Sequence, residues 1–283
     1  MTELHDKAVA FRSLHRTGAP LALANVWDAA GARLVEDAGA PAVATTSAGV
    51  AWALGAADGD RLDRDRALAL VARVAAAVSV PVTADLESGY GETPEQVAET
   101  IAGVLDAGAV GVNIEDALPA GPTPLRAVGE QAERVAAARA AASAAGVPLF
   151  LNVRVDTWLR AVGAPETRLR ETLDRALAYV AAGADGIFVP GVTDPATVAA
   201  LAEALPVPLN VLAGPGAPSV AELGALGAAR VSLGSSVAEA AYTLVRGAAQ
   251  ELYATGTYQA VAGPATDPVD YQRLNALIGT AAR

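Results

Sequence analysis

Eight short apolar segments recur along the sequence, and each is followed by a segment with apolar residues at helical spacing. Strands that alternate with helices in this way are typical of parallel sheets, because each helix returns the chain to the start of the next strand. Eight such units in 283 residues predict an α/β fold, a (β/α)₈ TIM-type barrel in one domain over 1–283. The predicted strands are 21–27, 42–46, 81–87, 110–116, 148–156, 185–190, 208–212 and 230–233.

An open, doubly wound sheet is the alternative arrangement for such a pattern. Its dinucleotide-binding form would carry a G-x-G-x-x-G turn after the first strand, and this chain has Trp27-Asp28-Ala29-Ala30-Gly31 there. Asp28 is instead predicted to cap a helix over 29–38. Helical patterns over 236–255 and 268–279 make 236–283 a predicted C-terminal helical segment.

Composition excludes several classes of function. The formal net charge is -11 and no Lys/Arg run stands out, so nucleic-acid binding is not expected. The sequence has no cysteine, which excludes disulfides and thiolate catalysis. No run reaches about 20 uninterrupted apolar residues, and the first 20 residues lack the apolar core of a signal peptide. We therefore expect no membrane span and a cytoplasmic location.

Basic catalytic side chains are also scarce. Lys7 is the only lysine, and His5 and His15 are the only histidines. All three precede the first predicted strand, so a Schiff-base lysine, a Ser-His-Asp triad and a histidine-ligated metal within the barrel are not expected. Chemistry must then come from carboxylates, arginine, hydroxyl groups, backbone amides and a bound ion.

The third predicted strand ends in two carboxylates, Asp85 and Glu87. Residues two apart in a strand point to the same face, so both should project from the end of this strand, before Gly89 and Gly91 turn the chain away. Two adjacent like charges repel, and burial would add a desolvation cost. A hard divalent cation, usually Mg²⁺ beside an anionic substrate, would offset that cost. The alternative is a solvated strand end with two acids.

The next two strands also end on charged residues, at the end of a barrel where active sites lie. Glu115 and Asp116 end the fourth strand, and Arg154 and Asp156 end the fifth. Among the late strands Arg154 is the only cation expected at this end, with Arg230 at the opposite end of its strand. The pattern predicts a carboxylate-held metal and an anionic substrate that bridges the metal and Arg154. The alternative for Arg154 is a structural ion pair with Glu115 or Asp156. The alternative for Asp116 is an ion pair within a loop.

Seven blocks in order resemble the isocitrate lyase/phosphoenolpyruvate mutase superfamily, over about residues 20 to 240. The blocks are NVWDA at 25–29, TTSAGVA at 45–51, DLESGYG at 85–91, GVNIED at 111–116, NVRVD at 152–156, FVPG at 188–191 and PLNVL at 208–212. The resemblance implies a (β/α)₈ barrel with a C-terminal helix swapped between subunits, in a homodimer or homotetramer. It also implies Mg²⁺, with Mn²⁺ as a substitute, and small 2-oxo or 2-hydroxy acids as substrates.

The resemblance also implies roles for individual residues. Asp85 resembles the direct metal ligand, and the acids that hold the metal's waters are matched by Asp58, Glu87 and Glu115. The residues matched to substrate binding are Thr46, Ser47, Ala48, Gly49, Arg154 and Asn210. The loop over 47–49 would offer its amides to the substrate carboxylate, and Arg154 would bind the carboxylate and an enolate. Glu115 and Arg154 are matched to catalysis, and Tyr90 or a metal-bound water is the candidate proton donor.

One loop departs from the family pattern. Residues 118–126 read LPAGPTPLR, where isocitrate and methylisocitrate lyases carry a Lys-Arg/Lys-Cys-Gly-His motif with a catalytic cysteine. The lysine and Asn-Ser pair of the phosphonomutases are also missing, and the short loop argues against a large closing lid. The expected function is Mg²⁺-dependent C–C cleavage or decarboxylation of an oxaloacetate-like acid through an enolate. A P–C bond enzyme acting on phosphonopyruvate or phosphoenolpyruvate is one alternative, and a non-catalytic carboxylate-binding protein is another.

Overall fold

A computed structural model describes residues 3–118, 123–263 and 268–279. Within these ranges nine short parallel strands form a nearly closed barrel surrounded by helices, which confirms the predicted α/β TIM-type barrel. The strands are β1 (Leu21–Leu23), β2 (Asn25–Val26), β3 (Val43–Thr45), β4 (Val82–Asp85), β5 (Gly111–Glu115), β6 (Phe150–Arg154), β7 (Gly186–Val189), β8 (Leu209–Leu212) and β9 (Ala228–Ser232).

The ninth strand arises because the predicted first strand, 21–27, is divided at Ala24. Its first part, β1, pairs with β9, and its second part, β2, pairs with β3, so this strand joins the two ends of the sheet. The Asn25 side chain bridges the division. Its amide donates to Thr45 O at 2.9 Å, and its Oδ1 accepts from Leu233 N and Gly234 N at 3.1 and 3.0 Å. Side-chain hydrogen bonds thus connect the neighbouring strands where the backbone ladder changes partner.

The helices cover the outside of the barrel. They are α1 (Glu3–Ser13), α2 (Ala29–Asp37), α3 (Ser47–Ala53), α4 (Arg64–Ala77), α5 (Pro94–Asp106), α6 (Val128–Ala144), α7 (Pro165–Ala181), α8 (Pro195–Ala204), α9 (Val220–Ala225), α10 (Ser236–Thr255) and α11 (Tyr271–Gly279). Asp28 caps α2 as predicted, since its Oδ1 accepts from Gly31 N at 2.6 Å. The predicted helices over 236–255 and 268–279 are confirmed as α10 and α11. No helix in the described ranges combines the length and apolar character that crossing a membrane requires.

Helix α1, which the sequence pattern does not predict, packs against the amino-terminal end of the barrel. Phe11 is fully buried and meets the ring of Phe150 edge to face, with 5.8 Å between the centroids. Gly111 permits this close approach, because a Cβ there would lie 2.5 Å from Phe11 Cε1. The amphipathic signal of this helix is weak, since it buries only Ala8 and Phe11.

The loop between β5 and α6 departs from the family pattern in sequence, and its centre, 119–122, lies outside the described residues. Its two flanks meet in an antiparallel bridge between Ala117 and Leu125. The prediction that this loop forms no large lid therefore stays a prediction.

A partly buried histidine just after α1 links stability to pH. The His15 ring stacks on Phe150 at 3.8 Å, and its Nδ1 lies 3.0 Å from Phe11 O. Burial, together with the charge of Arg230, lowers the pKa of His15 to about 3. The unfolded chain therefore takes up this proton near pH 6.5 while the folded chain does not, so stability falls as the pH drops from about 6.5 towards 3.

We expect His15→Phe, which keeps the stacked ring, to reduce this acid sensitivity. Between pH 7 and pH 5 the wild type should lose up to about 2 kcal/mol of unfolding free energy that the variant keeps. Urea unfolding at both pH values measures the difference. Equal pH dependence in the two proteins would contradict a neutral His15 in the folded state.

Candidate active site at the carboxyl ends of the strands

A cavity of about 190 Å³ opens at the carboxyl end of the barrel. Its volume suits a small acid, since drug-sized ligands occupy pockets of roughly 300–1,000 Å³. It brings together six of the residues predicted for the site: Thr46, Ser47, Ala48, Asp58, Asp85 and Arg154. The other five predicted residues, Gly49, Glu87, Tyr90, Glu115 and Asn210, do not line it.

Asp85 is the last residue of β4 and lies on the cavity wall. Its backbone N–H donates to Thr45 Oγ1 at 2.9 Å, and its Oδ2 accepts from Ser47 N at 3.0 Å. Asn113 Nδ2 lies 3.5 Å from its Oδ1. No arginine or lysine forms an ion pair with Asp85 in the part of the chain that the structure describes, so its carboxylate has no cationic side chain as a partner there.

The segment Ser47-Ala48-Gly49 was predicted as a loop, and this prediction is wrong. These residues form the first turn of α3, which follows β3 after the single residue Thr46. The N–H groups in a first helical turn have no carbonyl partner within the helix. The Thr46 side chain makes no capping hydrogen bond to α3 in the described structure. Among the N–H groups of this first turn, that of Ser47 donates to Asp85. The turn therefore still offers amide donors beside Asp85, as the resemblance implied for the loop.

Glu87 does not share a face with Asp85. The predicted strand 81–87 ends at Asp85, and Glu87 adopts a left-handed conformation with φ at 51°. The rule that residues two apart share a face holds only within a strand, so the prediction of a carboxylate pair projecting together is wrong. The Glu87 carboxylate instead accepts from the backbone N–H of Asp60 and, at 3.1 Å, from the hydroxyl of Tyr90. Burial, with the nearby charges of Asp60, Asp58 and Asp85, raises the pKa of Glu87 to about 7.

Tyr90 donates to Glu87 and does not line the cavity. It lines a larger groove of about 850 Å³, together with Asp60, Ser88 and Arg126. That groove is lined by neither Asp85 nor Arg154. Burial and the charge of Glu87 raise the pKa of Tyr90 well above its usual range. The structure therefore places the predicted proton donor outside the cavity that holds the other candidate groups.

Arg154, at the end of β6, is held by two carboxylates. Its Nε and Nη2 donate to Asp156 at 2.6 and 2.8 Å, and its Nη1 lies 2.5 Å from Glu115 Oε2. The structural pairing considered from the sequence is thus confirmed with both acids. These contacts use three of the five N–H bonds of the guanidinium, so the side chain is fixed in direction and keeps donor capacity at the cavity wall. Burial opposes the charge, but Glu115 and Asp156 raise the pKa of Arg154, and it stays a cation.

A further buried ion pair supports Asp156. Asp116 Oδ1 accepts from Asp156 N at 2.9 Å, and its Oδ2 accepts from Arg175 Nη1 at 3.1 Å and Tyr179 Oη at 2.9 Å. The prediction of Asp116 as an ion-pair partner in a loop is confirmed. This network extends from Arg175 on α7 to Arg154 and keeps the buried charges satisfied.

The donor set suits a magnesium ion held mainly by water and substrate. Among the described residues no three acidic or histidine side chains come close enough to hold an ion between them. Mg²⁺ in enzymes is usually bound by one or two carboxylates and keeps several waters. Asp85 and Asp58, which line the same cavity, match that requirement. Burial and the charge of Asp85 raise the pKa of Asp58, which indicates a repulsion that a cation would relieve.

Sequence reasoning missed two groups of cavity residues. Asn113 and Ser232 add polar groups from inside the barrel, and their signal was their position, two residues before the end of β5 and at the end of β9. An apolar wall was also missed, because Phe188, Leu159 and Leu212 read as ordinary core residues in the sequence. The wall residues that line the cavity are Leu159, Phe188, Pro190 and Leu212.

The barrel and its cavity define an α/β-barrel protein with a charged cavity at the carboxyl ends of its strands. The sequence matches the family model for phosphoenolpyruvate phosphomutase over residues 11–253, so the chain belongs to this family. It is an enzyme of the PEP mutase/isocitrate lyase superfamily, in which dependence on Mg²⁺ is typical.

Curated relatives cover most of this chain. An uncharacterised protein of Mycobacterium tuberculosis is 39% identical over 234 residues, 80% of this chain and 82% of that protein. The 2-methylisocitrate lyase of Escherichia coli is 32% identical over 210 residues, 73% of this chain and 69% of the lyase. The oxaloacetate decarboxylase of Pseudomonas entomophila is 30% identical over 217 residues, 74% of this chain and 71% of the decarboxylase.

Solved structures share the whole architecture. A Burkholderia cenocepacia J2315 protein provisionally called a phosphonomutase is 49% identical, with a TM-score of 0.83 over 87% of this chain and 99% of that chain. A second protein of that organism, provisionally called a lyase/mutase, is 39% identical, with a TM-score of 0.90 over 99% and 98%. A phosphonopyruvate hydrolase in complex with oxalate and Mg²⁺ is 25% identical, with a TM-score of 0.82 over 96% and 95%.

We expect Arg154→Lys to reduce kcat/KM by about 100-fold, because a lysine cannot keep the forked bonds to Asp156 while it also contacts Glu115 and a substrate. The assay is steady-state turnover of whichever acid the protein consumes. Arg160→Lys is the matched control, since Arg160 is 41% exposed and lies 3.8 Å from the same Asp156. Equal activity in both variants would assign Arg154 to a purely structural ion pair.

Proposed function

We propose that this enzyme uses Mg²⁺ to break a C–C bond in a small 2-oxo or 2-hydroxy carboxylate that resembles oxaloacetate. The observation that carries the proposal is the meeting of three groups in one cavity of about 190 Å³: the Asp85 carboxylate, the first turn of α3 and the Arg154 guanidinium. Asp85 offers an anchor for a cation, the first turn of α3 offers amide donors, and Arg154 offers a fixed positive charge. Together these groups can hold a carboxylate next to an oxygen atom on which negative charge develops.

The first turn of α3 and Arg154 would bind the acid. The N–H groups of Ala48 and Gly49 lie at the positive end of the helix dipole, which favours an anion, although Gly49 does not itself line the cavity. Arg154 is held by Asp156 and Glu115, so it needs no rearrangement to donate to the substrate. Such preorganisation is the main way in which fixed donors lower a barrier.

In the bond-breaking step, the bond between C3 and C4 of the 2-oxo acid breaks and its electron pair stays on C3, which generates the enolate. Arg154 would stabilise the charge that develops on the C2 oxygen, and C4 would leave as carbon dioxide in a decarboxylation. A proton from solvent would then reach C3, because Tyr90 lies on the neighbouring groove. A bound Mg²⁺, held by Asp85 and Asp58, would polarise the 2-oxo group and stabilise the same charge.

The apolar wall supports decarboxylation within this class of reactions. Phe188, Leu159 and Leu212 add apolar surface to the cavity, and no lysine, and no arginine other than Arg154, lines it in the described structure. A carboxylate in contact with apolar side chains loses solvation, whereas carbon dioxide is neutral and does not. Decarboxylation thus removes a charge that this apolar surface disfavours.

The test is turnover measured by ¹H and ³¹P NMR with Mg²⁺ and then with EDTA. The substrate pool contains oxaloacetate, 2-methylisocitrate, 2,3-dimethylmalate, phosphoenolpyruvate and phosphonopyruvate. We expect Mg²⁺-dependent loss of a C–C acid, with oxaloacetate converted to pyruvate as the first candidate. Unchanged spectra for the three C–C acids would contradict the proposal.

We further expect Asp85→Asn to reduce the rate of Mg²⁺-dependent turnover by at least about 1,000-fold, because the amide cannot supply the charge that a hard cation requires. The circular dichroism spectrum should stay unchanged. Asp106→Asn, at an exposed position at the end of α5, is the matched control. Wild-type turnover in the Asp85 variant would place the metal elsewhere.

P–C bond chemistry is a second candidate, because the relatives of known structure include a phosphonopyruvate hydrolase and a protein provisionally called a phosphonomutase. C–C cleavage and P–C cleavage both develop negative charge on the oxygen of the 2-oxo group, so Asp85 and Arg154 would serve either reaction. A phosphonate group carries up to two negative charges, which the apolar residues of this cavity solvate poorly, and this disfavours the candidate. Loss of the phosphorus compound in the same NMR assay would select it.

We also propose that α10 packs against a second copy of the chain, in a homodimer or a homotetramer. This helix of 20 residues buries only Ala238, and it exposes Val245 and Tyr253 by 63% and 86%. On the barrel wall, an apolar groove of about 410 Å³ runs between α2, β1 and β9 and is lined by Leu23, Val35 and Val231 among others. A partner's helix would cover such a surface. The cytoplasmic location stays a prediction.

We expect Val245→Asp combined with Tyr253→Asp to convert the oligomer to a monomer, because two charges cannot be buried unpaired in an apolar interface. Light scattering after size-exclusion chromatography gives the mass. Leu177→Asp, on an exposed position of α7, is the control that should keep the wild-type mass. A wild-type protein that is already monomeric at micromolar concentration would refute the interface.

A further inference from the structure

A buried arginine lies inside the barrel beneath the cavity. Arg230, on β9, is 1% exposed, and the sequence analysis had assigned it to the far end of its strand, away from the site. Its side chain instead reaches towards the site. Nε donates to Ser232 Oγ at 3.2 Å and Nη2 to Asn113 Oδ1 at 3.4 Å, and both partners line the cavity.

Arg230 has no carboxylate within ion-pair distance in the part of the chain that the structure describes, and its Nη1 has no hydrogen-bond partner there. Burial lowers the pKa of Arg230 to about 10, while the charge of Asp85 opposes that effect, so the group stays charged at neutral pH. A buried cation without a paired carboxylate is costly, and apolar residues of similar volume often replace buried charges without loss of stability. Its cost therefore calls for a functional reason.

The hydrogen bonds of Asn113 supply that reason. Its Oδ1 accepts from Arg230 Nη2 and, at 2.8 Å, from Asn152 Nδ2. Both acceptor positions of Oδ1 are occupied, so a 180° flip of the side-chain amide would lose the hydrogen bonds from Arg230 and Asn152. Asn113 Nδ2 is thereby directed to Asp85 Oδ1, at 3.5 Å, and to the cavity.

We propose that Arg230 is a positioning residue, which holds the Asn113 amide with its NH₂ group towards the cavity and offsets the negative charge of Asp85 from inside the barrel. Asn113 would then donate to an anionic substrate, and the charge of Arg230 would favour that anion while it weakens the binding of a cation at Asp85. The inference rests on the acid and metal site proposed above, and it does not depend on which bond the enzyme breaks.

Binding measurements on Arg230→Met, Arg230→Lys and Asn113→Ala test the proposal without turnover. Mn²⁺ titrated by calorimetry reports on the cation, and oxalate titrated in saturating Mn²⁺ reports on the anion. We expect Arg230→Met to bind Mn²⁺ at least about threefold more tightly and oxalate at least about tenfold more weakly, because one positive charge is removed and the Asn113 amide is released.

The other two variants separate charge from hydrogen bonding. Arg230→Lys should restore the wild-type affinity for Mn²⁺ but not for oxalate, because an ammonium does not reproduce the fork between Ser232 and Asn113. Asn113→Ala should weaken oxalate binding and leave Mn²⁺ affinity within about twofold of the wild type. Thermal unfolding should show Arg230→Met at least as stable as the wild type, as expected for an arginine kept for function.

A structural role for Arg230 would give the opposite results. Arg230→Met would then unfold at a lower temperature or fail to fold, and either result would overturn the proposal. Unchanged binding of both probes in a folded Arg230→Met variant would overturn it as well. If the wild type binds Mn²⁺ and oxalate and yet consumes none of the five acids, the proposed reaction fails while these binding results still decide the role of Arg230.

Discussion

Repulsion among clustered carboxylates is the constraint on which this site depends. Asp58, Asp85, Glu87 and Glu115 lie near one another at the carboxyl end of the barrel, and burial raises the pKa of Asp58, Glu87 and Glu115. Each carboxylate with a raised pKa has a local partner. The Ser47 side chain is the partner of Asp58, the backbone N–H of Asp60 is that of Glu87, and the Arg154 guanidinium is that of Glu115. Asp85 faces the cavity with a backbone amide and the Asn113 amide as its partners. The site is thus organised to leave one carboxylate available.

The register of the parallel sheet creates this arrangement. Asp85 on β4 is level with Asn113 on β5, and Asn113 is level with Asn152 on β6. Two residues further along, Glu115 is level with Arg154. Side chains that are level in neighbouring parallel strands share a face, so one row supplies the cavity and its amide support, and the next supplies the ion pair. The same register that closes the barrel therefore also pairs the charges.

The sequence predicted the parts of this site that depend on local signals. The strands and the Asp28 cap follow from apolar runs and turn residues, so Asp85 and Arg154 could be placed at the correct end of the barrel, although β4 and β6 each end two residues earlier than predicted. Glu87 could not be placed, because its left-handed conformation is stabilised by contacts with Asp60, which lies 27 residues earlier in the chain. Tertiary contacts of this kind override the periodicity of a strand.

Arg230 was misplaced for a related reason. Its Cα lies level with Leu21, near the start of β1, and the sequence pattern indicates only that position. The long side chain spans the interior and acts at Asn113, 117 residues away in sequence. Patterns in a sequence locate backbone positions, whereas the reach of an arginine depends on which neighbours leave space inside the barrel.

The barrel and its charged rim do not select one reaction, because the family contains enzymes with different chemistry on the same architecture. Asp85 and Arg154 meet a requirement shared by all reactions that place negative charge on a 2-oxo group. Selection must then come from the rest of the cavity lining, which includes the apolar side chains of Leu159, Phe188 and Leu212 and the amide of Asn113. A cavity of about 190 Å³ with this lining suits a small acid. In the function proposed above, decarboxylation would remove a charge from this partly apolar cavity, whereas transfer of a phosphonate would keep two charges in it.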